Sequence, residues 1–229
     1  MKKQTFDSRT ELDHHLADNV AALLADDIIA RGCATLVVSG GRTPQGFFHA
    51  LSQTDIAWSK VNITLADERW VDANHADSNE KLVREHLCIN QAISARFLSL
   101  KNSASRADLG QAVCAEQLGD LGSFSAVILG MGDDGHTASL FPGTKSLATG
   151  LDLSSGLSCL AVQPVNAPHE RMSLSLPRLL DCQKLFLHIV GESKAQLLNQ
   201  VAAGTDASEY PVRAVLQQQT TPIEIYYAG

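Results

Sequence analysis

Four short apolar runs in this chain each end directly in a glycine-rich or charged segment. Residues 34–38 run into Ser39-Gly40-Gly41-Arg42-Thr43-Pro44, and residues 61–66 into Asp67-Glu68-Arg69-Trp70. Residues 124–129 run into Gly130-Met131-Gly132-Asp133-Asp134-Gly135-His136-Thr137, and residues 185–190 into Gly191-Glu192-Ser193-Lys194. Short continuous apolar runs suit strands buried on both faces. They alternate here with stretches of helical periodicity, which predicts an α/β domain with a mainly parallel sheet covered by helices on both faces. In such sheets ligands bind outside the carboxyl ends of the strands. If the four runs are parallel, all four polar segments share one rim.

The local signals fill in the rest. Ser8 and Glu11 have capping-box spacing, Leu12, Leu16, Val20, Leu23, Leu24 and Ile28 recur on one helical stripe, and Arg31-Gly32 is a stop. A second helix is expected from Pro44 at its first position, with Thr43 as N-cap. Ser78 is expected to cap a helix through Leu87, and residues 107–118 to form another. Residues 97–100 read as a weak strand and 157–162 as a buried one. Met172, Leu174 and Leu176 alternate with serines, the pattern of a half-buried strand. A helix follows from Glu192 to about residue 201, and residues 223–227 close the chain as a strand. No repeat or Pro/Ser-rich linker divides residues 1–229, so one domain is expected.

Charge narrows the function classes. Lys+Arg 18 against Asp+Glu 25 leaves a net −7, which opposes a nucleic-acid or anionic-membrane surface. The five cysteines (Cys33, Cys88, Cys114, Cys159 and Cys182) include no Cys-x-x-Cys pair and lie mostly in apolar stretches, the pattern of reduced, buried thiols. The first residues lack the apolar core of a signal peptide, and no apolar run reaches the ~18 residues of a membrane helix. A soluble, cytoplasmic protein is expected, and a monomer is compatible with everything above.

The rim segments carry the chemistry. Gly40 and Gly41 let backbone approach a ligand, and the helix start after Thr43 offers free N–H groups, which together suit an anion. The segment is not a Walker loop. Gly130, Gly132 and Gly135 spell Gly-x-Gly-x-x-Gly, but on a late strand and without the following acidic residue, so a nicotinamide cofactor is disfavoured and none is expected. His136 stands on this glycine turn beside Asp133 and Asp134, and histidine is the side chain most often used as a general base near neutral pH. The other seven histidines read as packing or surface residues, and no ligand spacing supports a metal site. No Gly-x-Ser-x-Gly elbow supports a serine hydrolase. Arg42, Arg69, Arg171 and Lys194 stand near strand ends and could form a local anion pocket in an otherwise acidic chain.

Taken together these motifs resemble the 6-phosphogluconolactonase family of the glucosamine-6-phosphate deaminase/isomerase superfamily. The resemblance spans roughly residues 10–227. It rests on Ser39-Gly40-Gly41-Arg42-Thr43-Pro44, Asp67-Glu68-Arg69-Trp70-Val71 with Ser78-Asn79, residues 130–143, Pro168-His169-Glu170-Arg171-Met172-Ser173 and Gly191-Glu192-Ser193-Lys194. It implies a Rossmann-like three-layer sandwich. The deaminase branch is similar but carries a catalytic Glu five residues after the motif histidine. Phe141 stands there in this chain, and phenylalanine transfers no proton. Arg42 stands where the lactonase family often has Ser, and Val165-Asn166-Ala167-Pro168 replaces that family's Lys-Pro-Pro run before Arg171.

The resemblance implies hydrolysis of a sugar-phosphate lactone, 6-phospho-D-glucono-1,5-lactone, in the oxidative pentose phosphate pathway. His136 would deprotonate the attacking water, and Asp67 or Asp134 would orient the imidazole or bind sugar hydroxyls. Gly40, Gly41, Arg42, Thr43 and a subset of Arg69, Arg171 and Lys194 would hold the phosphate. The N–H groups of the glycine-rich turn, with Gly132 and Gly135, or a nearby cation would be donors to the oxyanion. A deaminase/isomerase, or a non-catalytic sugar-phosphate-binding module, are the alternatives.

Overall fold

The computed structural model describes residues 2–229. In chain order the elements begin with β1 (Lys2–Phe6), α1 (Arg9–Arg31), β2 (Ala34–Val38), α2 (Gln45–Ser52), β3 (Val61–Leu65) and β4 (Asp67–Arg69). They continue with α3 (Asn79–His86), β5 (Arg96–Phe97), α4 (Ala107–Gly119), β6 (Phe124–Leu129), α5 (Leu147–Leu151), β7 (Cys159–Val162) and β8 (Arg171–Leu174). The chain closes with α6 (Leu176–Leu180), β9 (Cys182–Val190), α7 (Glu192–Ala203), α8 (Val212–Gln217) and β10 (Ile223–Ala228).

Seven strands form one sheet in the order β1-β10-β9-β6-β2-β3-β5, and every pairing is parallel. β2 and β6 are buried along their whole length, as their unbroken apolar runs require. Helices flank this sheet as expected: α1 lies against α2 and across β2, β6 and β10. Its bounds follow from its caps. Ser8 Oγ accepts the Glu11 N–H at 3.2 Å, and Gly32 ends the helix at φ 81°. The chain moves from β2 outward to β3, while β6 lies on the other side of β2. The direction of winding therefore reverses between β2 and β6, and a crevice opens at their carboxyl ends.

Several expectations shift. β1 was not expected, because Lys2, Lys3, Gln4 and Thr5 are too polar for a core strand. It is an edge strand with only Phe6 buried, a composition that suits an edge. The second helix starts one residue late: Pro44 is the N-cap and makes no side-chain cap. The segments at 67–69, 159–162 and 171–174 leave the main sheet. They form a separate antiparallel sheet, β4-β8-β7. β8 is buried on both faces, with Ser173 inside, so its alternation of Met and Leu with Ser marks no solvent face. Among the described residues, no helix is long and apolar enough to cross a membrane.

Candidate active site

A cavity of about 260 Å³ occupies the crevice between the ends of β2 and β6. Gly40, Gly41 and Thr43 form one wall, Gly132 and His136 the opposite one, and Asp67, Arg69 and Lys194 close it. Eight of the residues singled out in the sequence therefore meet in one place.

His136 is held by its own turn. Gly132 N–H donates to the His136 carbonyl at 2.9 Å, and Gly135 N–H donates to the Gly132 carbonyl at 3.1 Å. Gly135 has φ 72°, a conformation that favours glycine. A Cβ on Gly132 would stand 2.1 Å from His136 Nδ1, so only glycine leaves room for the ring. Asp134 Oδ1 lies 2.5 Å from His136 Nδ1, which makes Nδ1 the donor and leaves Nε2 as the free ring nitrogen. This contact is the main cause that holds the Asp134 carboxyl below its ordinary pKa. The Phe141 ring packs against the imidazole, 4.3 Å between centroids.

The structure separates the two aspartates that the sequence left as alternatives. Asp134 touches His136 from outside the cavity. Asp67 is buried in the cavity wall and accepts from Ser139 Oγ at 2.5 Å. Ser139, which the sequence reading did not single out, thus fixes Asp67 towards the cavity. Its position inside the long motif was the available signal.

Gly40 has a different reason from the one expected. A Cβ there would meet Asn79 Oδ1 at 1.9 Å, and Asn79 Nδ2 donates to the Asp67 carbonyl at 2.9 Å. Gly41 at φ 94° has open space around it, which fits backbone approach by a ligand. Glu68 was also missed. It is buried and accepts four hydrogen bonds, from the N–H groups of Arg69, Asn79 and Glu80 and from Ser78 Oγ. It thereby pins the start of α3, with Asn79, to the end of β4; burial raises its pKa despite these bonds.

The cations divide into three groups. Lys194 Nζ reaches the cavity and is held by the Met131 carbonyl at 2.7 Å and Asp133 Oδ1 at 2.6 Å. Arg69 and Arg171 are direct cross-strand partners on β4 and β8. Arg171 lies behind the cavity lining, buried, with Nε and Nη1 unpaired by protein groups; burial and then the charge of Arg69 lower its pKa. Two like charges side by side, one of them desolvated, favour an anion between them. Arg42 does not line the cavity: its side chain is exposed, and only its carbonyl is anchored, by Arg9 Nη2 at 2.9 Å. The Gly132 and Gly135 N–H groups are spent inside the turn, so they do not serve as oxyanion donors. Gly135 instead packs against Tyr210.

Residues 7–223 match the family model described as glucosamine-6-phosphate isomerases/6-phosphogluconolactonase. The chain belongs to this family. Within the family it is 40% identical over 224 residues to a 6-phosphogluconolactonase of Rhizobium meliloti, an alignment covering 97% of each chain. It is 41% identical over 225 residues to one of Neisseria meningitidis, again covering 97% of each. A crystal structure of a 6-phosphogluconolactonase from Shewanella baltica superposes with a TM-score of 0.98 at 43% identity, covering 100% of this chain and 98% of that one. A monomeric glucosamine-6-phosphate deaminase shares the family fold at a TM-score of 0.78 and 19% identity.

Proposed function

We propose that the chain hydrolyses 6-phospho-D-glucono-1,5-lactone to 6-phosphogluconate, the reaction named for its full-length relatives. The Asp134–His136 pair beside a cavity whose far walls carry Gly40, Gly41, Arg69 and Lys194, groups suited to an anion, carries this reading. A water beside Nε2 of His136 loses its proton to that nitrogen as its oxygen bonds to the lactone carbonyl carbon. The tetrahedral oxyanion collapses, the bond from that carbon to the ring oxygen breaks, and His136 returns the proton to the departing oxygen. The carboxylic acid formed ionises to the product. Asp134 stabilises the imidazolium and keeps Nε2 turned to the reaction.

The phosphate is taken by the Gly40-Gly41 loop and Lys194, with Arg69 and Arg171 adding positive potential. Anchoring this remote group places the carbonyl near His136, a positional contribution to rate. Asp67, fixed by Ser139, receives sugar hydroxyls. Phe141 supports hydrolysis over deamination, because its phenyl ring fills the space beside His136 with no acid or base. The five cysteines are all unpaired, which supports a reducing compartment, the cytoplasm, as the place of action.

The deciding experiment measures loss of freshly generated lactone, with the spontaneous rate subtracted, for wild type and His136→Ala. Ammonia release from glucosamine 6-phosphate is followed in parallel. Fast lactone loss by wild type alone supports the reading. Ammonia release without lactone acceleration overturns it in favour of the deaminase branch. Neither activity leaves a sugar-phosphate-binding role.

A further inference from the structure

Outside the cavity, the loop before α3 meets the loop before β8, and three metal-ligating side chains meet with them. His169 Nε2 lies 3.0 Å from Asp77 Oδ2, and His75 Nδ1 lies 3.8 Å from the same oxygen. One ligand atom from each of the three residues falls within 4.8 Å of the other two. Ligand atoms around a tetrahedral Zn²⁺ with bonds of about 2.0–2.1 Å stand about 3.3 Å apart. The two contacts to Asp77 bracket that spacing. Two exposed side chains and a half-buried one, all on loops, close the third edge by a movement on the order of 1 Å.

The backbone is also committed to this meeting. His169 sits at φ 68°, in the left-handed region that histidine adopts more often than most side chains. That conformation turns its ring to Asp77 on the other loop, and the His75 and His169 rings stand edge to face at 5.4 Å. His75 Nδ1 also accepts the Asp77 N–H at 3.1 Å, a contact at the surface that a metal bond through this nitrogen would replace.

We propose that His75, Asp77 and His169 form a binding site for a divalent transition-metal ion of the Zn²⁺ class, with water completing the coordination. Two imidazoles and one carboxylate suit Zn²⁺, Co²⁺ or Ni²⁺ and disfavour Mg²⁺, which takes oxygen ligands. The site joins two segments that position cations of the candidate active site. Arg69 Nη1 donates to the Asp77 carbonyl, and His169 lies two residues before Arg171. A bound ion would therefore stiffen the Arg69–Arg171 pair from outside without entering the cavity. The sequence shows no ligand spacing because His169 is distant in the chain from His75 and Asp77. Binding requires neutral imidazoles, so affinity falls as pH drops through the ordinary histidine range.

The test titrates the full chain, stripped with chelator and desalted, with Co²⁺ at about pH 7.5. Visible d–d absorption reports coordination number, and competition by Zn²⁺ gives its affinity. The expected result is one saturable equivalent at micromolar ion. His75→Ala, Asp77→Asn and His169→Ala should each weaken it by about tenfold or more, and His14→Ala should leave it unchanged. Circular dichroism confirms that each variant is folded. The absence of saturable binding, or one equivalent that survives His169→Ala, overturns the proposal. The spectroscopic readout stands whether or not the chain hydrolyses the lactone.

Discussion

Asp134 Oδ1 lies 2.5 Å from Nδ1 of His136, and the same oxygen accepts the His136 backbone N–H at 3.1 Å. One carboxylate oxygen therefore orients both the ring and the peptide that carries it. His136→Ala is expected to lower kcat for lactone hydrolysis by about 10²–10⁴-fold, with little change in KM. Asp134→Asn keeps the shape but loses the charge that stabilises the imidazolium, and should lower kcat by about 10²-fold or more. Steady-state kinetics decide the matter: a near-normal kcat for His136→Ala would remove the general base.

Gly132 is a steric requirement of the same ring. With the added Cβ 2.1 Å from Nδ1, Gly132→Ala must push the imidazole out of line. A misplacement on the order of 1 Å costs about 10²-fold in rate. The loss should appear in kcat, while phosphate-end binding, read as inhibition by 6-phosphogluconate, stays close to wild type. Equal losses in both would mean that the turn itself had collapsed.

Arg171 trades stability for binding. It is buried beside Arg69 with two guanidinium nitrogens unpaired by protein groups. Replacing a buried, poorly compensated charge by an apolar group of similar length often stabilises a protein by about 1–4 kcal/mol. Arg171→Met is therefore expected to raise Tm and to raise KM, with kcat less affected. A lower Tm together with an unchanged KM would show that the charge serves neither the anion nor the cost assigned to it.

Glu68 ties β4 to α3 with four accepted hydrogen bonds. Glu68→Gln places an N–H₂ group against donors, leaving at least one of them unsatisfied. The expected loss is about 1–3 kcal/mol, read from urea denaturation. An unchanged midpoint would show that the helix start holds without this side chain.

A buried pair beneath α2 sets an opposed pH response. Burial pushes the Asp13 carboxyl up from 3.8 to about 6, and burial lowers His188 from 6.5 to about 3. Asp13 Oδ1 and His188 Nε2 lie 3.4 Å apart, with Arg9 and His14 the other charged or titratable groups facing Asp13. Between pH 3.8 and about 6 the folded state holds a proton on Asp13 that the unfolded chain has released, so this contribution falls as pH rises. His188 acts in reverse: the unfolded chain takes up its proton as pH falls below 6.5, so stability declines towards acid. Asp13→Asn removes only the first effect. Its Tm, taken relative to wild type, should climb between pH 4 and about pH 6. A flat difference across that window would show that Asp13 titrates normally.

Much of the sheet was legible because its signals are local. The apolar runs at β2 and β6, the Ser8 cap and the Gly32 stop depend on residues next to one another in the chain. The shared rim followed, because parallel strands that end in polar segments must present them together. The terminal edge strand β1 was not legible, since an edge needs only one buried residue and resembles any polar segment. The second sheet was not legible either. Its short strands lie far apart in sequence, and only backbone pairing reveals that Arg69 opposes Arg171.

The sequence by itself determined the residue types at the rim, the glycine turn that can hold a histidine, and the replacement of an acid by Phe141. Tertiary structure alone decided the partners. It gave Asp67 to Ser139 rather than to His136, set Gly40 against Asn79, buried Arg171 and left Arg42 outside. The physical reason is range. Helix caps, turns and hydrophobic periodicity act within a few residues, whereas a hydrogen bond or a steric contact between distant segments exists only once strand register and packing have brought them together.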